Sequence, residues 1–259
     1  MDIMQINEDI FRITVPYKDI FTTVCVIKTP KGAVLFDSAS YDEDIDGYIV
    51  PMLAQLNISA EDMKYVFISH NHTDHAGGLK KLVERYPNVC IVSRSPAIKE
   101  QYAVNQVWMP EDRDTLLGVL QVVTVPGHTL DSMAILDTRT STMISGDCLQ
   151  LYGIFGSGNW ACNIGFPSAH LQAIEKLRTM HVQKLLAAHD YHPYGFLYES
   201  EETVLKALDA CVEPLMNIKK MIQDAPELTD EEIVGLYNAP KTLPKLGVRA
   251  VSAIRRELV

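Results

Sequence analysis

The apolar residues fall into two textures along the chain. Up to about residue 197, short runs rich in Val, Ile, Thr and Phe alternate with helical stripes. Residues 10–15, 22–28 and 33–36 read as strands. Turn material at 16–19 and 30–32 divides them into two hairpins. A helix is predicted over 42–56, kinked or divided at Pro51. Residues 65–68 read as a buried strand that ends abruptly at His70. A helix at 79–85, a strand at 89–92 and a short helix at 95–102 follow. The texture then repeats, with strands at 120–125, 132–136 and 142–144, a helix at 167–180 and a last strand at 184–188. After residue 198 only helical spacing remains. Val204, Leu208, Cys211, Leu215, Ile218 and Ile222 form one stripe, which Pro214 is expected to interrupt. Thr229 and Glu232 form a capping box, and Val248, Val251, Ile254 and Leu258 form a final stripe. The pattern predicts a layered α/β domain over 1–197 and a helical extension over 198–259 packed on it.

Composition narrows the function classes. The 259 residues are 47% hydrophobic and 22% charged, enough apolar surface for a self-sufficient core. The net charge of −10, with no basic patch, disfavours nucleic acid as a partner. Five irregularly spaced cysteines without a CxxC argue for a reducing compartment. With neither a signal-peptide pattern nor a long apolar run, a cytoplasmic protein without membrane attachment is expected.

One segment carries the chemistry. Ser69-His70-Asn71-His72-Thr73-Asp74-His75-Ala76-Gly77-Gly78 places four potential metal ligands within six positions, directly after a strand. Chance would produce this pattern in roughly five of ten thousand such chains, so a solvated histidine loop is a poor account of it. In extended backbone His70 and His72 face one side. A turn into a helix would free Asp74 and His75 for a second, neighbouring ion. Three further strand ends offer ligands: Pro126-Gly127-His128-Thr129, Ser145-Gly146-Asp147 and Ala188-His189-Asp190. Imidazole and carboxylate suit zinc first, with iron or manganese as alternatives.

The order HNHTDH, PGHT, SGD, AHD resembles the metallo-β-lactamase superfamily of metal-dependent hydrolases over about residues 10–190, closest in motif to its glyoxalase II-like branch. The early strand ending at Asp37 fits the same pattern. The resemblance implies an αββα sandwich with two divalent metal ions at one edge. It assigns His70, His72 and His128 to the first ion, Asp74, His75 and His189 to the second, and Asp147 to both. It further implies a metal-bridging hydroxide that attacks the carbonyl of a small ester, thioester or lactone. Asp74 would serve as the catalytic carboxylate that accepts or passes a proton, and Asp37 would orient a ligand.

The glycine- and aromatic-rich segment 149–167 is expected to be a loop able to cover the metals. Tyr152, Phe155 and Trp160 there, and His192 beyond the last strand, are candidate substrate contacts. Lactonases of the superfamily carry Tyr where this chain has Gln150. The tail arginines Arg249, Arg255 and Arg256 lie among helical polar positions, poorly suited to a glutathione-binding cluster. The expected partner is a small molecule, with the oligomeric state open and a homo-oligomer admitted. Alternatives are an iron-dependent persulfide dioxygenase, a nucleic-acid phosphodiesterase and a non-enzymatic metal-binding module. The diiron branch of the superfamily carries Glu where His72 stands, which sets this chain apart from it.

Overall fold

The computed structural model describes residues 2–151, 153–154, 162–192, 194–240 and 246–259, with the side chain of His192 excepted. The chain folds as two compact units, Met1–Val122 and Val123–Val259.

The first unit opens with a meander of β1 (Met4–Gln5), β2 (Ile10–Tyr17), β3 (Ile20–Thr29) and β4 (Gly32–Phe36), all antiparallel. Both predicted hairpins form. The first turn is tighter than predicted, because Pro16 and Tyr17 remain in β2 opposite Phe21 and Ile20. From β4 the sheet becomes parallel, through β5 (Met63–Phe67), β6 (Cys90–Val92) and β7 (Val107–Trp108). Helices fill each parallel crossover. Between β4 and β5 run α1 (Asp42–Asp44), a π turn (Ile45–Ile49) and α2 (Val50–Gln55). The predicted helix is thus divided next to Pro51, as expected, without the helical run ending there. Pro51 lacks the N–H of a continuing α-ladder, and the wider turn preceding it carries the chain onward. Between β5 and β6 lie α3 (Thr73–Ala76) and α4 (Leu79–Arg85), and before β7 lies α5 (Ile98–Tyr102). Ile13, Val24, Val26, Leu35, Val66 and Ile68 meet Ile45, Ile49, Leu53, Leu79 and Leu82 in one buried cluster. A hairpin of β8 (Thr115–Leu116) and β9 (Leu120–Thr124) leads to the division, which falls within β9.

The second unit holds β10 (Met133–Asp137), β11 (Thr142–Ile144), β12 (Gly153–Ile154), α6 (Pro167–Arg178), β13 (Lys184–His192) and β14 (Gly195–Tyr198). The second sheet has the order β12-β13-β11-β10-β9-β8, with β14 also on β13. β13 extends past the predicted end at residue 188, because β12 and β14 both pair with its far half. Three helices close the chain: α7 (Glu201–Asp224), α8 (Asp230–Asn238) and α9 (Val248–Leu258). The predicted capping box forms, with Thr229 accepting from the Glu232 N–H at 3.2 Å and Glu232 accepting from the Thr229 N–H at 2.8 Å. Pro214 lies inside α7 without stopping it. The proline costs about 3 kcal/mol, but Leu215, Ile218 and Ile222 are buried with Ile233, Val251 and Ile254, and that burial offsets it. The mixed α/β class with two sheets and terminal helices is thus as the sequence predicts. Among the described residues no helix is long and apolar enough to cross a membrane, and no disulfide joins the five cysteines.

Candidate metal centre

Each unit carries its own set of candidate ligand side chains. In the first unit they follow β5. The chain leaves the strand at Ile68, passes through His70 and His72 in irregular backbone, and enters α3 with His72 as its extended N-terminal flank. Asp74 and His75 lie in the first helical turn, as the motif predicts. His70 and His75 are buried, while His72 and Asp74 are partly exposed.

Asp37 organises this set. It is fully buried at the end of β4, with φ at 64°, a left-handed conformation that aspartate tolerates better than most residues. It accepts the Ser69 N–H at 2.7 Å and the Ser69 hydroxyl at 2.9 Å. It also receives His75 Nδ1 at 2.7 Å. A carboxylate only accepts, so Nδ1 of His75 carries the proton and Nε2 is left with its lone pair. The Ser69 hydroxyl donates to Asp37 and so accepts from His70 Nδ1, 3.1 Å away. His70 is thereby fixed in the same tautomer. Burial pushes the Asp37 carboxyl above its ordinary range, and the His75 and Ser69 contacts oppose that rise. Sequence reasoning identifies Asp37 as the orienting carboxylate but gives Ser69 no role beyond opening the motif.

The lone-pair atoms converge. His70 Nε2 lies 2.9 Å from His72 Nδ1, and His75 Nε2 lies 3.3 Å from Asp74 Oδ2. In the second unit, Asp147 follows β11 in a short 3-10 turn (Gly146–Cys148). Its Oδ1 is 3.3 Å from His189 Nε2 and its Oδ2 is 3.6 Å from His128 Nε2. His128 donates its Nδ1 proton to the Asn163 carbonyl at 2.7 Å, again leaving Nε2 to a ligand. His189 lies where the β13–β14 register shifts between Leu186 and Tyr191, an irregularity of the kind that re-aims side chains at functional sites. Donors 2.9–3.6 Å apart, each ~2.0–2.1 Å from one ion, subtend roughly 90–125° at that ion, which tetrahedral zinc accommodates. In each unit the donor chemistry and spacing therefore fit a divalent metal.

His170 supports this second set from α6. A Cβ on Gly127 would lie 2.6 Å from the His170 Cβ, and Gly127 has φ at 157°, so glycine lets the turn before His128 press against the helix. Burial brings the His170 imidazole down to about 4, its hydrogen bond with the Cys211 backbone opposes the shift, and the charge of His128 adds to it. The unfolded chain takes up this proton near 6.5, so between 6.5 and about 4 it binds more protons than the folded chain. Stability is full above 6.5 and falls by up to ~3 kcal/mol as the pH drops toward 4. Metal-free H170M is expected to show a flatter dependence of urea-unfolding free energy on pH across that window. An unchanged slope would refute this account.

Tyr152, Phe155 and Trp160 lie outside the described residues, as does the side chain of His192, whose backbone ends β13. Around them Leu149, Leu151 and Ile154 are buried, and Gly153 and Ile154 form a strand within the segment expected to be a loop.

A sequence profile described as the metallo-beta-lactamase superfamily matches residues 18–189. A hydroxyacylglutathione hydrolase from Idiomarina loihiensis is 26% identical over 171 residues, covering 62% of this chain and 62% of that protein. A hydroxyacylglutathione hydrolase from Klebsiella pneumoniae is 31% identical over 111 residues, covering 41% of this chain and 43% of that protein. The match thus spans less than two thirds of the length of these curated relatives. Among solved structures, a metallo-beta-lactamase family protein from Thermus thermophilus is similar with a TM-score of 0.68 at 16% identity, covering 97% of this chain and 92% of that one. That likeness is one of fold.

Proposed function

Because the chain belongs to the metallo-β-lactamase superfamily, we propose that it is a binuclear metal-dependent hydrolase of a small ester, thioester or lactone. The observation that carries this reading is the two-sided engagement of Asp147, one oxygen toward His128 and the other toward His189, as a carboxylate shared by two ions requires. In this reading His70, His72 and His128 hold one ion, Asp74, His75 and His189 hold the other, and Asp147 serves both. This assignment follows the family's motif order, and the family profile matches residues 18–189. Nitrogen-rich ligands favour zinc over iron or manganese.

Two such ions supply an acidified water and a polarised carbonyl at neutral pH. The protein's own residues do the rest. Asp37 and Ser69 fix the tautomers of His70 and His75, and the Asn163 carbonyl fixes that of His128. Asp74 keeps 14% of its side chain exposed, so it can exchange a proton with the reacting group while still facing His75.

The hydroxyacylglutathione hydrolases among the relatives favour a thioester. Among the described residues of the tail, Arg255 is bound to Asp230 and the Leu228 carbonyl and Arg256 pairs with Glu257, so these two arginines are poorly placed to receive a glutathione carboxylate. We therefore favour a small acyl thioester over glutathione specifically. Prolonged dialysis against a chelator is expected to abolish turnover of a thioester and ester panel, and two equivalents of zinc to restore it. Fully loaded protein with no chelator-sensitive turnover on that panel would overturn the proposal.

A further inference from the structure

Gln150 follows Asp147 by three residues and is buried at 3% exposure. Both ends of its amide are engaged with backbone. Its Nε2 donates to the Asp147 carbonyl at 2.9 Å, and its Oε1 accepts the Asn163 N–H at 2.6 Å. Its own carbonyl receives the Cys162 thiol at 3.2 Å. Asn163 in turn presents its carbonyl to His128 Nδ1 at 2.7 Å. The next residues continue the clasp, with the Gly165 and Phe166 N–H groups donating to the Gly127 carbonyl at 3.0 and 2.9 Å. One buried side chain therefore connects the turn that bears Asp147 to the strand of backbone that fixes the tautomer and aim of His128.

We propose that Gln150 is a positioning residue of the metal centre, holding Asp147 and the Asn163–His128 pair in one fixed relation. This rests on the two-metal reading above. A buried glutamine could also be mere filling, in which case a hydrocarbon of equal length would serve. The contacts argue otherwise, because its donor and its acceptor each meet the backbone of a residue that carries or orients a ligand. Hydrogen-bonding partners that aim metal ligands are worth 10–100-fold in metal affinity. Gln150 acts one bond further out than such a partner on the His128 side, and directly on the Asp147 turn.

The test uses the full chain with zinc as the probe, measuring zinc affinity by competition with a chromogenic chelator. Q150M keeps the length and loses both hydrogen bonds. Q150E keeps the acceptor for the Asn163 N–H and loses the donor to Asp147. Zinc affinity is expected to fall about 10-fold or more in Q150M and by a smaller factor in Q150E. In the nitrogen-15 spectrum of the loaded protein, the His128 Nδ1 proton is expected to exchange with water faster in Q150M than in wild type. If Q150M does not fold, the Q150E affinity and exchange rate decide. Zinc affinity within twofold of wild type, with unchanged His128 exchange, would overturn the proposal even if the metal-free variant melts earlier. Wild-type protein that fails to bind zinc would overturn it too. Wild-type protein that binds two zinc ions but hydrolyses nothing would refute the hydrolase reading alone, since affinity and exchange are read without turnover.

Discussion

Replacing Asp147 by Asn is expected to reduce bound metal from two ions per chain to one or fewer, and to lower kcat/KM on the best substrate by at least ~10³-fold. The side chain is buried and places one oxygen toward His189 Nε2 at 3.3 Å and the other toward His128 Nε2 at 3.6 Å. Asparagine fills the same space but turns one of those two acceptors into an NH2 group, which donates and cannot ligate a cation. It also removes one of the two carboxylate charges assigned to the ligand set, so two divalent ions would repel each other with less to offset them. The expected loss exceeds the 10–100-fold typical of a residue that only orients a ligand. Elemental analysis after dialysis, circular dichroism and steady-state kinetics on the same sample decide the matter. D147N protein that still holds two ions per chain would show that Asp147 is not shared between them.

The candidate ligands stand out because the chemistry is dense in the sequence. His70, His72, Asp74 and His75 fall within six positions, and each of the other three stands where an apolar run stops. A metal site needs several rare side chains at strand ends, and that requirement leaves a trace in one dimension. Apart from Asp37 at its strand end, the supporting contacts leave none. Ser69 reaches Asp37 across 32 positions of sequence, and Asn163 reaches His128 through a backbone carbonyl that any residue possesses. Gln150 drew notice in the sequence only for standing where a lactonase has Tyr, and its hydrogen bonds to backbone depend on where the chain returns.

The fold shows the same division. Strongly periodic elements such as α4 and α9 fall at their predicted positions. Two-residue strands such as β1, β7 and β8 carry too few residues for a period to register, and pairing alone defines them. Proline was an uneven guide. The helical run is divided next to Pro51, as expected, but Pro214 lies within a 24-residue helix, since packing of the whole apolar face outweighs one lost hydrogen bond.

Replacing Gly77 by Ala is expected to destabilise the protein by more than ~4 kcal/mol, at the upper end of what single substitutions do. Conformational freedom is not the cause, since Gly77 ends α3 with ordinary right-handed angles of φ −62° and ψ −36°. Space is the cause. A Cβ there would fall inside the contact distance of the Ser40 carbonyl oxygen, and would lie 2.5 Å from the Thr73 carbonyl oxygen and 2.6 Å from the Ser40 carbonyl carbon. All three are backbone atoms, so no side-chain rotation relieves the overlap. The two backbone segments are also tied together. The Ser38 N–H donates to the His75 carbonyl at 2.7 Å, its hydroxyl donates to the same oxygen at 3.1 Å, and the Gly78 N–H reaches the Ala39 carbonyl at 3.4 Å. Moving them apart breaks these bonds and separates His75 from Asp37, which holds its tautomer through a 2.7 Å contact. The close approach that glycine permits is therefore what lets a buried carboxylate on one segment aim an imidazole on the other. For a chain of this size a loss of ~4 kcal/mol lowers the melting temperature by roughly 8–16 °C. G235A is the matched control, because nothing lies within 4 Å of its added Cβ in α8. Removing glycine from a helix interior there should stabilise by ~0.5–1 kcal/mol. Thermal melts of the two metal-free variants beside wild type make the comparison, and G77A within ~1 kcal/mol of wild type would show that the two segments can part without cost.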